Sequence, residues 1–247
     1  MKLLIVALLL TLSTQAKTIR VAVAANVSYA IEELKKEFNL LYPNIKVETI
    51  LGGTGKLTAQ IRHNAPYDML LSADMMYPTS LYKEGFAITR PLIYVQGSLV
   101  YLSRKKQDFS KGTELLKEEG IKKIAIANPK TAPYGKATFE ALKNAKLLEE
   151  IKDKLVYGES ISQTVTYATK VTDIGFIAKS ALFSPKMSHF KKDTNWHELD
   201  PKLYTPINQG IVILKHGEKS TEVASFYAFI FSKKAEKIFK DFGYTIP

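Results

Sequence analysis

The 247-residue sequence contains no cysteine. Disulfide staples, zinc ribbons, thiol nucleophiles and Cys-ligated iron–sulfur clusters are excluded together. So is bacterial lipoprotein anchoring, which requires an acylated Cys. Gly (13) and Pro (10) are too sparse for a fibrous or low-complexity chain. The four histidines, His63, His189, His197 and His216, are scattered in polar surroundings. No two have the i, i+4 spacing of a helical metal site, so they read as surface residues. There is no G-x-S-x-G elbow, and a hydrolase triad therefore lacks a nucleophile. Past the N-terminus no apolar run approaches the roughly 20 residues needed to span a bilayer.

What is present is a folded composition, with 46% apolar, 11% aromatic and 24% charged residues. The length allows one large domain or two lobes of roughly 100–130 residues, each with its own core. Met1-Lys2, the apolar stretch Leu3 to Leu12 and then Ser13-Thr14-Gln15-Ala16 have the three parts of a secretory signal peptide. Thr14 and Ala16 supply the small residues before cleavage, which puts the signal at residues 1–16 and the mature protein in a Gram-negative periplasm. Lys2 accounts for one unit of the formal +11, leaving +10 on the mature chain. These charges alternate in sign along helices and form no block of five or six, which argues against nucleic acid as partner.

Element types alternate along the chain. Short apolar runs at Ile19–Val23, Val47–Leu51, Met69–Ser72, Leu99–Leu102, Lys123–Ala127, Leu155–Tyr157, Asp173–Ile177 and Gly210–Leu214 read as strands. Helical stripes lie between them, as at Ile31, Leu34, Phe38 and Leu41. Continuous apolar strands alternating with helices indicate α/β architecture with parallel sheets covered on both faces. Eight or more strands divide more naturally into two lobes than into one sheet.

Candidate chemistry is sparse. Asp68 and Asp74 bracket the Met69–Ala73 run, but carboxylates at strand ends commonly cap helices or form ion pairs. Gly52-Gly53-Thr54-Gly55-Lys56 fails as a phosphate loop, because Ile50 and Leu57 stand where Gly and Ser/Thr are required. Four strand-to-helix turns remain: Ala25-Asn26-Val27-Ser28, Gly53-Thr54-Gly55, Pro133-Tyr134-Gly135 and Ser160-Ile161-Ser162. The first N–H groups of a helix have no internal acceptor and carry partial positive charge, so such turns can take an anion. Four at the carboxyl ends of strands, two per lobe, form a constellation where open α/β sheets bind ligands. Charge-assisted bonds are worth about 1.5–3 kcal/mol each, so five or six give on the order of 8–18 kcal/mol gross. After association costs this supports roughly micromolar to nanomolar binding without a counter-cation.

The ordered segments Val21-Ala22-Val23-Ala24-Ala25-Asn26, Gly53-Thr54-Gly55-Lys56-Leu57, Tyr67-Asp68-Met69-Leu70-Leu71-Ser72-Ala73-Asp74, Asn128-Pro129 with Pro133-Tyr134-Gly135, Asp173-Ile174-Gly175-Phe176-Ile177 and Phe239-Lys240-Asp241-Phe242-Gly243-Tyr244-Thr245-Ile246 together resemble the periplasmic molybdate-binding proteins (the ModA family). The likeness spans essentially the whole mature chain. It implies a two-lobed, type II-like periplasmic binding protein with a mainly parallel sheet in each lobe and the ligand cleft between them. Lobe I would comprise residues 17–92 plus 207–247 and lobe II residues 93–206, with a hinge near Pro91–Gly97 and Tyr204–Gln209. The oxyanion ligands would fall on Asn26 through its amide N–H₂, Thr54 through its hydroxyl, Tyr134, and the backbone N–H of Ile161. Ala178 departs from the family, many of whose members have a Tyr reaching the anion there; Tyr134 would supply that hydroxyl.

The expected function is capture of molybdate or tungstate by a monomer that delivers it to an inner-membrane ABC permease. No cofactor or cation site is expected, molybdenum entering only as the oxyanion. A receptor for sulfate, phosphate or an organic anion is the nearest alternative, and an enzyme on the same scaffold a more distant one.

Overall fold

A computed structural model describes residues 17–247. The signal-peptide reading of residues 1–16 lies outside the described residues. The strands are β1 (Lys17–Ala24), β2 (Ile45–Gly52), β3 (Met69–Leu71), β4 (Leu92–Gly97), β5 (Leu99–Leu102), β6 (Ile124–Ala127), β7 (Leu155–Gly158), β8 (Ile174–Ala178), β9 (Trp196–Glu198) and β10 (Ile207–Ile213). The α-helices are α1 (Ile31–Leu41), α2 (Thr54–Arg62), α3 (Met76–Lys83), α4 (Pro133–Asn144), α5 (Leu148–Ile151), α6 (Ile161–Lys170), α7 (Thr221–Ile230) and α8 (Lys233–Asp241). The strands form two five-stranded sheets, ordered β2-β1-β3-β10-β4 and β7-β6-β8-β5-β9.

Both sheets are buried on two faces, and side-chain alternation assigns the covers. In β1, Val21 and Val23 face a cluster with Leu34 and Phe38 of α1, Phe226 of α7 and Phe239 of α8. Ala22 faces the opposite way, against Leu57 and Ile61 of α2 and Leu81 of α3. The second sheet splits similarly: Leu99 and Tyr101 pack with Ile124, Ile126 and Phe176, whereas Val100 and Leu102 pack with Ile177 and Ala168 of α6. Leu41, expected on the apolar stripe of α1, is instead exposed.

The sheets are mainly parallel as expected, each with one strand of opposite sense, and one domain boundary needs correction. β1 pairs in parallel with β2 and β3, and β6 with β7 and β8, but β10 runs antiparallel to β3 and β4, and β5 antiparallel to β8 and β9. The strands of opposite sense, β5 and β10, are each the first strand after the chain crosses between the sheets. Residues 93–97, expected to open lobe II, do not. They belong to β4, which hydrogen-bonds along β10 of the first sheet, so the chain changes sheets at Ser98, between β4 and β5. It returns ahead of β10, which starts at Ile207. Thr245 closes over this junction by exchanging backbone bonds with Gln96 at 2.8 and 3.0 Å.

Candidate functional site

The four turns converge. After β1, residues Ala25–Tyr29 make a 3₁₀ turn rather than an α-helix, with Asn26 fully buried. Gly53 caps α2 in an extended conformation and leaves Thr54 as its first residue. In α4, Pro133 occupies the first turn, where its missing N–H costs nothing, and Tyr134 follows. Ser160 caps α6 by accepting from the Gln163 N–H at 3.3 Å, so the N–H of Ile161 in the first turn has no acceptor within the helix. Asn26, Thr54, Tyr134 and Ile161 all line one cavity, together with Ala24, Ala25, Gly53, Ala73, Ala132 and Pro133. The cavity is small, with a free volume of about 10 Å³, on the order of what one water molecule needs.

No Lys, Arg, Asp or Glu lines this cavity. Lys56 borders a larger groove outside it, of about 800 Å³, between α2 and α6, and Lys136 borders a third depression near Asp74. Asp68 is engaged by the Arg20 N–H at 2.6 Å and His216 Nδ1 at 2.6 Å. Asp74 accepts from Ser72 Oγ at 3.1 Å and the Tyr77 N–H at 3.2 Å. Neither carboxylate reaches the cavity.

Two hydroxyls there share one arrangement. Thr54 Oγ1 accepts from the Ala73 N–H at 3.2 Å, and Tyr134 Oη accepts from Gln209 Nε2 at 3.0 Å. Neither hydroxyl donates to any described residue. The scaffold occupies an oxygen lone pair in each case, and the single hydrogen stays available to a guest. Burial, with smaller contributions from Tyr244, Tyr94 and Tyr204, pushes the Tyr134 phenol well above its ordinary pKa. It therefore remains a donor across the physiological range.

The lobes meet around the cavity. The Gly55 N–H donates to Thr131 O at 3.2 Å, Ser162 Oγ to Ala25 O at 3.0 Å, and Ser180 Oγ to Asn26 O at 3.0 Å. Two glycines make this approach possible. A Cβ on Gly55 would lie 2.8 Å from Thr131 O, and one on Gly97 would lie 2.0 Å from Tyr134 Oη.

One expected role is overturned. The amide N–H₂ of Asn26 is committed elsewhere, to Gln209 Oε1 at 2.9 Å and Tyr244 Oη at 3.0 Å, while its Oδ1 has no partner. Asn26 lines the cavity, but its side-chain hydrogens are spent within the protein. Ala178 ends β8 and packs in the same buried cluster as Tyr134 without lining the cavity. Gln209 and Tyr244 were absent from the sequence-based site. The signal for Gln209 was a polar pair, Asn208-Gln209, inside an otherwise apolar strand.

Residues 19–245 match the family model described as bacterial extracellular solute-binding protein. The molybdate-binding protein ModA of Azotobacter vinelandii is 35% identical over 240 residues, 96% of this chain and 94% of that protein. ModA of Rhodobacter capsulatus is 31% identical over 241 residues, 96% and 91% of the respective chains. Among solved structures, the periplasmic molybdate-binding protein of Azotobacter vinelandii superposes with a TM-score of 0.86 and 28% identity, over 93% of this chain and 99% of that one. Sequence, sheet order and cavity thus converge, and the chain belongs to the bacterial extracellular solute-binding protein family.

Proposed function

We propose that this protein is an exported, monomeric receptor that closes over molybdate or tungstate and delivers it to an inner-membrane ABC permease. One observation carries the reading. Four turns from two lobes enclose a small cavity without a charged side chain, into which two hydroxyls are set to donate. A cation, or a neutral guest offering donors, would find few acceptors there. An oxyanion finds hydroxyl and backbone donors already in place, which lowers the reorganisation needed to desolvate it. The small volume favours a compact tetrahedral ion over an organic anion. The relatives named above, which carry molybdate in their names, support the choice among such ions. Binding rather than catalysis is the proposed activity, and export to the periplasm accords with the N-terminal sequence.

A thermal-shift panel of molybdate, tungstate, sulfate, phosphate and citrate tests this reading. Stabilisation by molybdate and tungstate at concentrations where sulfate does nothing is expected; a shift with sulfate or phosphate alone would refute it. Thr54→Val and Tyr134→Phe each remove one donor to the guest while preserving shape. Each is expected to weaken molybdate binding about tenfold, the value of one hydrogen bond to a charged acceptor. Calorimetry giving wild-type affinity for both variants would move the site elsewhere.

A further inference from the structure

Gln209 lies on β10 of the first lobe and is fully buried. Its pairing with β4 shifts register between Gln209 and Gly210, an irregularity of the kind that re-aims a side chain beside a functional site. The two ends of its carboxamide do different work. Oε1 accepts from Asn26 Nδ2 at 2.9 Å and lies 3.1 Å from the Tyr94 hydroxyl, while Nε2 donates to Tyr134 Oη at 3.0 Å. The last bond spans the lobes, because Tyr134 stands at the start of α4 in the second. Gly97 makes room for it, since an added Cβ would lie 2.0 Å from Tyr134 Oη and 2.7 Å from Gln209 Nε2.

A phenol has one hydrogen and can point it only one way. Where a neighbour donates to its oxygen, that hydrogen is free for a guest; where a neighbour accepts, it is consumed. The direction at Tyr134 is thus set by which end of the carboxamide it meets, and that end is set by Asn26, whose N–H₂ occupies the other. We propose that Gln209 is a positioning residue: held by Asn26, it donates across the closed lobes to Tyr134 and so fixes that hydroxyl as a donor to the bound oxyanion. The inference rests on the oxyanion reading above and adds a residue outside the cavity wall. It also ties donor orientation to closure, because the Gln209–Tyr134 bond exists only when the lobes meet.

The titratable groups around the carboxamide are Tyr94 of β4, Tyr134 of α4 and, through Asn26, Tyr244. Burial is the leading cause that pushes all three above the ordinary phenol range. None changes charge near neutrality, so wild-type binding should be flat between about pH 8 and pH 6. Gln209→Glu should not be flat. An ionised carboxyl only accepts, turning the Tyr134 hydrogen away from the guest, whereas a protonated carboxyl regains an O–H to give Tyr134.

The test is calorimetry of molybdate binding to the wild type, Gln209→Leu, Gln209→Glu, Tyr134→Phe and the two double variants. Gln209→Leu is expected to weaken binding about tenfold beside Tyr134 but no more than about twofold in the Tyr134→Phe background, since interacting residues are non-additive. Gln209→Glu is expected to lose about a hundredfold at about pH 8 and recover as the pH falls, more with Tyr134 than with Phe. Equal losses for Gln209→Leu in both backgrounds overturn the proposal even if Gln209→Glu does not fold. If the wild type binds sulfate or phosphate instead of molybdate, the functional reading fails while the same cycle, run with that ion, still judges Gln209. If it binds none of them, both fall.

Discussion

Gly97→Ala is expected to lower molybdate affinity more than about a hundredfold, one of the largest effects available from a single methyl group. The added carbon would lie 2.0 Å from Tyr134 Oη and 2.7 Å from Gln209 Nε2. Gly97 sits in a paired strand whose backbone cannot retreat without breaking the β4–β10 ladder. Tyr134 is walled in by the second-lobe core and is fully buried. The relief open to the molecule is to part the lobes, which separates the two pairs of turns. Stability of the ligand-free protein should change far less, because both sheets keep their cores. Calorimetry with molybdate, alongside thermal unfolding of the free protein, would measure the two effects separately. Unaltered affinity would mean that the lobes do not need the approach seen at this point.

Asn26→Asp is the second large effect, and it strikes stability as well. The substitution barely alters shape, but it places an acceptor where Asn26 Nδ2 now donates to Gln209 Oε1 at 2.9 Å. It also introduces a carboxylate at a fully buried position with no basic residue lining the neighbouring cavity. An uncompensated buried charge costs about 3–5 kcal/mol, which for a protein of this size lowers the Tm by roughly 10 °C. Burial raises the folded-state pKa of such a carboxyl above its unfolded value, so the folded form holds the proton more tightly. The deficit is therefore full above that raised pKa and shrinks as the pH falls through it. Oxyanion binding should be undetectable near neutrality, since a dianion would face a like charge in a dry site. A variant as stable as the wild type at pH 8 would show that the amide hydrogens of Asn26 do not matter.

Periodicity located most of the scaffold. Continuous apolar runs such as Met69–Leu71 and Ile124–Ala127 cannot be half-exposed strands, and they proved buried on both faces. It failed at β4, because Leu92–Gly97 follows a proline and mixes exposed with buried positions, a pattern equally suited to a linker. Only pairing with β10, more than a hundred residues away in sequence, makes it a strand. The site divided along the same line. Turn chemistry is local, so the four turns could be marked before any fold was known, and the family resemblance singled out Asn26, Thr54, Tyr134 and Ile161 within them. Hydrogen-bond direction is not local. Whether the Asn26 amide faces a guest or is spent on Gln209 and Tyr244 depends on residues 183 and 218 positions away, and no spacing rule reaches that far.

The walls of the cavity between its donors are Ala24, Ala25, Ala73 and Ala132. Each is the smallest side chain that still has a carbon to extend, and none of these side chains can hydrogen-bond. On the proposed reading, selectivity by size and affinity by donors are therefore written on different residues. Lineages of this receptor could drift toward a smaller or larger ion one carbon at a time along the alanines, leaving the recognition chemistry intact. An ion differing from the proper cargo only in radius would be rejected by geometry, not by charge.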